Sequence, residues 1–135
     1  MNTLILGCGR VGARLAVILS KEHHVTVLDW NPAAFDRLPQ HFSGRTLIGN
    51  GIDIDVLRNA HIEEADVFLA LTNGDNRNLM AAQVAQHLGV PKVIVRVYDP
   101  VRCEIFSQQG LITVSPTITG TEHLLQVLQI EPARV

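Results

Sequence analysis

Six short apolar runs punctuate this chain of 135 residues: TLILG at 3–7, HVTVLD at 24–29, RTLIG at 45–49, DVFLALT at 66–72, KVIVRV at 92–97 and LITVS at 111–115. Each is rich in Val, Ile or Leu and is followed by a segment with helical spacing or a helix-start signal. Asn31-Pro32 and Asp99-Pro100 each set a capping side chain before a proline at the first helical position, and Gly89 before Pro91 and Gly110 mark helix ends. Strands alternating with helices of about ten residues imply right-handed crossovers. The expected fold is therefore α/β, with a doubly wound parallel six-stranded sheet in the order 3-2-1-4-5-6 and helices on both faces. No internal repeat, low-complexity segment or linker interrupts the pattern, so residues 1–135 read as a single domain.

Composition narrows the class. With 47% hydrophobic but only 4% aromatic residues, small aliphatic side chains must fill a sheet covered on both sides. Eleven Lys and Arg against thirteen Asp and Glu give a net charge of −2, and the basic residues are scattered, which argues against a nucleic-acid or anionic-membrane partner. The apolar runs are too short to insert in a bilayer. The glycine-rich turn begins by residue 7, which predicts no leader peptide. Cys8 and Cys103 have no paired spacing and suit a reducing cytoplasm. Cys8 is expected as a small side chain tucked beside the turn.

That turn, Gly7, Gly9 and Gly12 in GCGRVG, follows the first apolar run and opens a helix. In a Rossmann-like unit the first glycine permits the tight turn, the second lets a pyrophosphate approach the backbone, and the third packs helix against strand. The helix N-terminus then offers unpaired N–H groups and partial positive charge to phosphates. Asp29 closes the second run 17 residues after Gly12, where a carboxylate accepts hydrogen bonds from an adenosine ribose and repels a 2′-phosphate. Arg10 can fold over the pyrophosphate. Two roles fit Trp30: lying against the adenine, or packing at a subunit contact.

Further stretches carry a family resemblance. GNGID at 49–53, ALTNGDNRNLMAAQVAQHLGVPKVIVRVYDP at 70–100 and QQGLITVSP at 108–116, together with GCGRVG and VLDWNP, resemble the nucleotide-binding N-terminal domain of regulators of potassium conductance, also called RCK-N, KTN or TrkA-N. ALT, Asn78, VIVRVYDP and the closing G-x-x-x-x-S-P in this order are more specific than the glycine motif. The resemblance implies a cytoplasmic regulatory domain on which NAD(H), ATP, ADP or AMP compete for one site. It implies that ligand-dependent geometry of a homodimer or ring is passed to a potassium channel, transporter or antiporter in the membrane. Carried over residue by residue, it places Gly7, Gly9, Arg10, Val11 and Gly12 at the diphosphate, Asp29 at the ribose, and Asn50 and Gly51 near the adenine. It places Thr72 and Asn73 near the second half of the ligand and Arg96 toward the phosphates. Apart from the resemblance, an arginine ending an apolar strand fits either ligand binding or a salt bridge to a helix. The family usually has Asp where Asn50 stands, so adenine contact survives but a cation-linked role does not. Thr117 replaces a metal-holding Glu found in some members, and no metal site is expected.

A dehydrogenase needs an acid or base beside the nicotinamide and a second domain to enclose substrate. Tyr98 has no lysine four residues on, and the six histidines show no ligand spacing. A non-catalytic sensor is the expectation; the alternative is the cofactor half of an NAD-dependent oxidoreductase. Two apolar faces bear on assembly, one with Leu124, Leu125 and Leu128 and one with Met80, Val84 and Leu88. With a mean hydropathy of +0.20, at least one is expected to be shared with a second subunit.

Overall fold

The pleat of an extended chain sends successive side chains to opposite sides of a sheet, so a continuous apolar run can serve two cores. In the computed structural model, which describes residues 1–131, the apolar runs become β1 (Asn2–Leu6), β2 (His24–Asp29), β3 (Arg45–Ile48), β4 (Val67–Ala70), β5 (Lys92–Arg96) and β6 (Ile112–Val114). All pair in parallel in the order β3-β2-β1-β4-β5-β6. β1 and β4 form the centre, with Leu6 opposite both Leu28 and Ala70.

The helices are α1 (Arg10–Leu19), α2 (Ile54–Asn59), α3 (Asp75–His87), α4 (Pro100–Ser107) and α5 (Pro116–Leu128), with short 3₁₀ helices at Pro32–Arg37 and Ile62–Glu64. Two cores result. Leu4, Leu6, Leu28, Phe68, Ala70 and Val95 pack under Leu57 of α2 and Leu79 and Ala82 of α3. On the other face Ile5, Val25, Val27, Val67 and Leu69 pack under Ala13 and Ala16 of α1 and Ala34. Burial on both sides explains the near-continuous apolar reading of the central strands.

Asn31-Pro32 opens a 3₁₀ rather than an α-helix, although its cap forms as the sequence suggests, with Asn31 Oδ1 accepting the Ala33 N–H. α2, α4 and α5 likewise start on side-chain caps from Asp53, Asp99 and Ser115. α1 and α3 start on Gly9 and Gly74, with no side-chain cap. Gly89 and Gly110 end their helices at φ +88° and +87°.

The two apolar faces fare differently. Val84 and Leu88 of α3 pack on the chain's own core, leaving Met80 exposed, so these three do not form one shared face. α5 buries none of its residues, and Leu124 and Leu128 are 63% and 64% exposed.

Candidate functional site

Because strand order reverses between β1 and β4, the connections leaving their carboxyl ends part in opposite directions and open a crevice. A cleft of about 450 Å³ lies there, walled by the turn after β1, the end of β2 and the turns after β3 and β4. A larger groove of about 600 Å³ lies at the opposite edge, lined by His23, His24, Arg45 and His61 among others. Crossover helices direct their C-terminal carbonyls toward that edge, which disfavours anions, so the smaller cleft is the better candidate.

The three motif glycines serve different ends. Gly7 adopts φ +106°, and a Cβ there would meet Thr72 N at 2.9 Å; its own N–H donates to Leu28 O at 2.8 Å. A Cβ on Gly12 would run into the Gly7 carbonyl oxygen, so Gly12 seats α1 on the turn and does not line the cleft. At Gly9 a Cβ would meet nothing within 4 Å, and φ is −80°. The fold alone therefore places no steric demand for glycine at position 9. An incoming group would, since Gly9 lines the cleft at the N-terminus of α1, whose first N–H groups carry no side-chain cap.

Asp29, at the end of β2, holds this turn in place. Its Oδ2 accepts the Cys8 N–H at 2.8 Å and its Oδ1 accepts the Asn31 N–H at 2.9 Å. Each oxygen keeps a second lone pair for a hydroxyl donor. Cys8 is fully buried beside the turn; burial first, and the nearby Asp29 carboxylate second, push its thiol pKa up, while Arg37 pulls it down. Trp30 also lines the cleft and is 69% exposed. After β3, Asn50 Oδ1 accepts the Ile52 N–H at 3.2 Å, and Gly51 gives room to Leu6, whose side chain a Cβ would overlap.

The far wall is organised by Asn78, fully buried on α3. Its Oδ1 accepts the N–H and hydroxyl of Thr72 at 2.9 and 2.6 Å, while Nδ2 donates to Thr72 O and Arg96 O at 2.9 and 3.0 Å. Arg96 bonds a carbonyl rather than a helix acid: Nε and Nη2 donate to Thr72 O at 3.3 and 2.8 Å, and the guanidinium lies 5.2 Å from the Tyr98 ring centroid.

Of the residues singled out from the sequence, the cleft brings together Gly7, Gly9, Asp29, Trp30, Asn50, Gly51, Thr72, Asn73 and Arg96. Arg10 and Val11 instead line a groove along the outer side of α1. Two charged residues of the cleft were not singled out from the sequence, Arg37 from the 3₁₀ helix after β2 and Arg77 from α3. The spacing of Arg37 after Asp29 resembles no motif, and Arg77, although inside the 70–100 stretch that carries the family resemblance, is assigned no role there.

Comparison with known proteins then fixes the family. The TrkA-N domain profile matches residues 3–116. The chain belongs to the TrkA-N domain family. It is 44% identical over 130 residues to the Trk system potassium uptake protein TrkA of Streptomyces coelicolor, covering 95% of this chain and 58% of that protein. It is 37% identical over 137 residues to a TrkA homolog of Pyrococcus abyssi, covering 95% and 60%. This TrkA-N chain thus spans about three-fifths of the length of these relatives. The fold is also that of the TrkA-N domain of the inner membrane protein ybaL from Escherichia coli, at TM-score 0.81 and 21% identity over 94% of this chain and 96% of that one. The Kef C-terminal domain of Shewanella denitrificans in AMP-bound form superposes at TM-score 0.79 with 19% identity, covering 96% and 80%. The GsuK channel bound to NAD superposes at 0.71 with 24% identity, covering 85% and 21%. Among the described residues no helix is long and apolar enough to cross a membrane.

Proposed function

We propose that this TrkA-N domain binds an adenine nucleotide in the crevice between β1 and β4 and uses it to regulate a potassium uptake system. The observation that carries the reading is Gly9, a glycine with open space where its Cβ would be, set at an uncapped helix N-terminus within reach of a carboxylate at the end of β2. That combination suits a diphosphate against backbone N–H groups and a ribose against Asp29. Asn50 and Trp30 would border the adenine; Thr72, Asn73 and Arg96 would border the far half of the ligand. AMP in the Kef domain and NAD in GsuK support an adenine nucleotide as the class of ligand.

The lining favours a receptor over an enzyme. The guanidinium groups offer hydrogen-bond donors, Asp29 accepts two backbone N–H groups, and the Cys8 thiol is buried, an arrangement suited to holding and orienting a ligand. The signal would pass through a homodimer or ring, with α5 as the shared element, to a membrane potassium channel or transporter. Ligands with different affinities for two assembly geometries shift their populations.

Calorimetric titration of NADH, NAD, ATP, ADP and AMP tests the reading. Micromolar-range binding of at least one, about −8 kcal/mol, is expected, with NADH bound and not oxidised by added carbonyl or quinone acceptors. Absence of binding by all five, or steady NADH oxidation, would overturn it.

A further inference from the structure

Three guanidinium groups line the cleft, and the fold commits them to different degrees. Arg96 is held to Thr72 O through two nitrogens and covers Tyr98. Arg37 gives a single N–H to Cys8 O at 3.4 Å, tying it to the ribose side of the turn. Arg77, in the first turn of α3, is exposed and makes no side-chain hydrogen bond or ion pair among the described residues. The acid nearest it on α3, Asp75, is occupied, its two oxygens accepting the N–H groups of Tyr98 and Asp99. One carboxylate, Asp29, faces these three arginines, so the cleft wall is positive in a chain whose net charge is −2.

A single phosphate against the Gly9 turn is satisfied by backbone N–H groups and one guanidinium. The wall carries more positive charge than that, and the surplus lies on the β4–α3 side, across the turn from Asp29. With the ribose at Asp29 and the first phosphate at the turn, Arg77 is the uncommitted guanidinium on the same cleft wall that remains for a second phosphate.

We propose that Arg77 recognises the second phosphate of the bound nucleotide and makes the cleft select nucleoside diphosphates and dinucleotides over nucleoside monophosphates. This rests on the cleft being an adenine-nucleotide site, and the test separates the two claims. AMP, ADP and NADH are titrated calorimetrically into the wild type and into Arg77→Gln, Arg77→Lys and Arg37→Gln, with circular dichroism confirming that each variant is folded. The wild type is expected to bind ADP about tenfold or more tighter than AMP, a difference within reach of one charge-assisted contact. Arg77→Gln lowers ADP and NADH affinity until ADP and AMP bind about equally, leaving AMP unchanged; Arg77→Lys keeps part of the preference. Arg37→Gln removes the same charge but leaves the ADP-to-AMP ratio as in the wild type. A variant Arg77→Gln that weakens AMP as much as ADP, or neither, overturns the assignment. So does a wild type that binds AMP and ADP equally, although the adenine-nucleotide reading then stands; a wild type that binds none of them removes both.

Discussion

Asp29 and Cys8 are 21 residues apart in the chain, yet the Asp29 carboxylate accepts the Cys8 N–H at 2.8 Å, so the acid that ends β2 also fixes the glycine turn that follows β1. One side chain therefore fixes the shape of the glycine turn and, in the proposed function, also receives the ribose. Asp29→Ala is expected to weaken NADH binding about tenfold or more and to lower stability by about 1 kcal/mol, since the N–H groups of Cys8 and Asn31 lose a charged acceptor. Titration and urea unfolding measure the two effects. The wild type should prefer NADH to NADPH, and equal affinity would contradict the ribose assignment.

Gly9 and Gly12 separate ligand demand from fold demand. Gly9→Ala adds a methyl group to open space at an ordinary φ, so its stability should stay within about 0.5 kcal/mol of the wild type. In the proposed function the same methyl group would stand in the path of the pyrophosphate, and nucleotide affinity should fall at least about tenfold. Gly12→Ala should instead destabilise by about 1–3 kcal/mol, because its Cβ overlaps the Gly7 carbonyl. Thermal unfolding with and without ADP distinguishes the two variants.

Asn78 joins the ends of β4 and β5 through four hydrogen bonds from a fully buried amide. Asn78→Leu keeps the volume but strands the Thr72 N–H and the Arg96 carbonyl. A loss of about 2–4 kcal/mol in urea unfolding is expected, accompanied by weaker nucleotide binding as Thr72 and Arg96 lose their places. Unchanged stability would show that water replaces the amide without cost.

Burial of Cys8 gives a pH dependence whose sign follows from linkage. Its thiol pKa is raised in the folded chain, so above the ordinary thiol value of about 8.5 the unfolded chain releases a proton that the native chain keeps. The native state then binds more protons, and stability falls as pH rises toward the raised value. Cys8→Ala should remove this component. The difference in unfolding free energy between wild type and variant is expected to be smaller at pH 9.5 than at pH 7.5, and a constant difference would show that the thiol does not titrate differently on folding.

Assembly should depend on α5 rather than α3. Leu124→Glu is expected to shift a sedimenting dimer toward monomer, whereas Met80→Glu, on a helix whose neighbouring apolar residues Val84 and Leu88 face the core, should not. A wild type that remains monomeric at tens of micromolar, roughly where weak specific interfaces already form, in every nucleotide state would leave α5 without a role in signalling.

Local chemistry determined much of this protein. Short apolar runs, caps at Asn31 and Asp99 each followed by proline, and glycines at 7, 89 and 110 with positive φ each act within a few residues, so strands, helix starts and the glycine turn are legible in the sequence. The depth of helix formation was not: Asn31-Pro32 caps a 3₁₀ helix, because tertiary packing rather than capping sets how far a helix propagates. Tertiary structure alone decided which side chains meet. Arg37 and Arg77 join the cleft from elements on opposite sides of the glycine turn, while Arg10, inside the motif itself, turns to the outer side of α1. Asn78 acquires its role only when β4 and β5 lie side by side, and a single helical stripe divides, Val84 and Leu88 inward and Met80 outward, because the sheet beneath α3 covers only part of it. Sequence spacing specifies the face of an element; the partner on that face depends on the contacts brought in from distant parts of the chain.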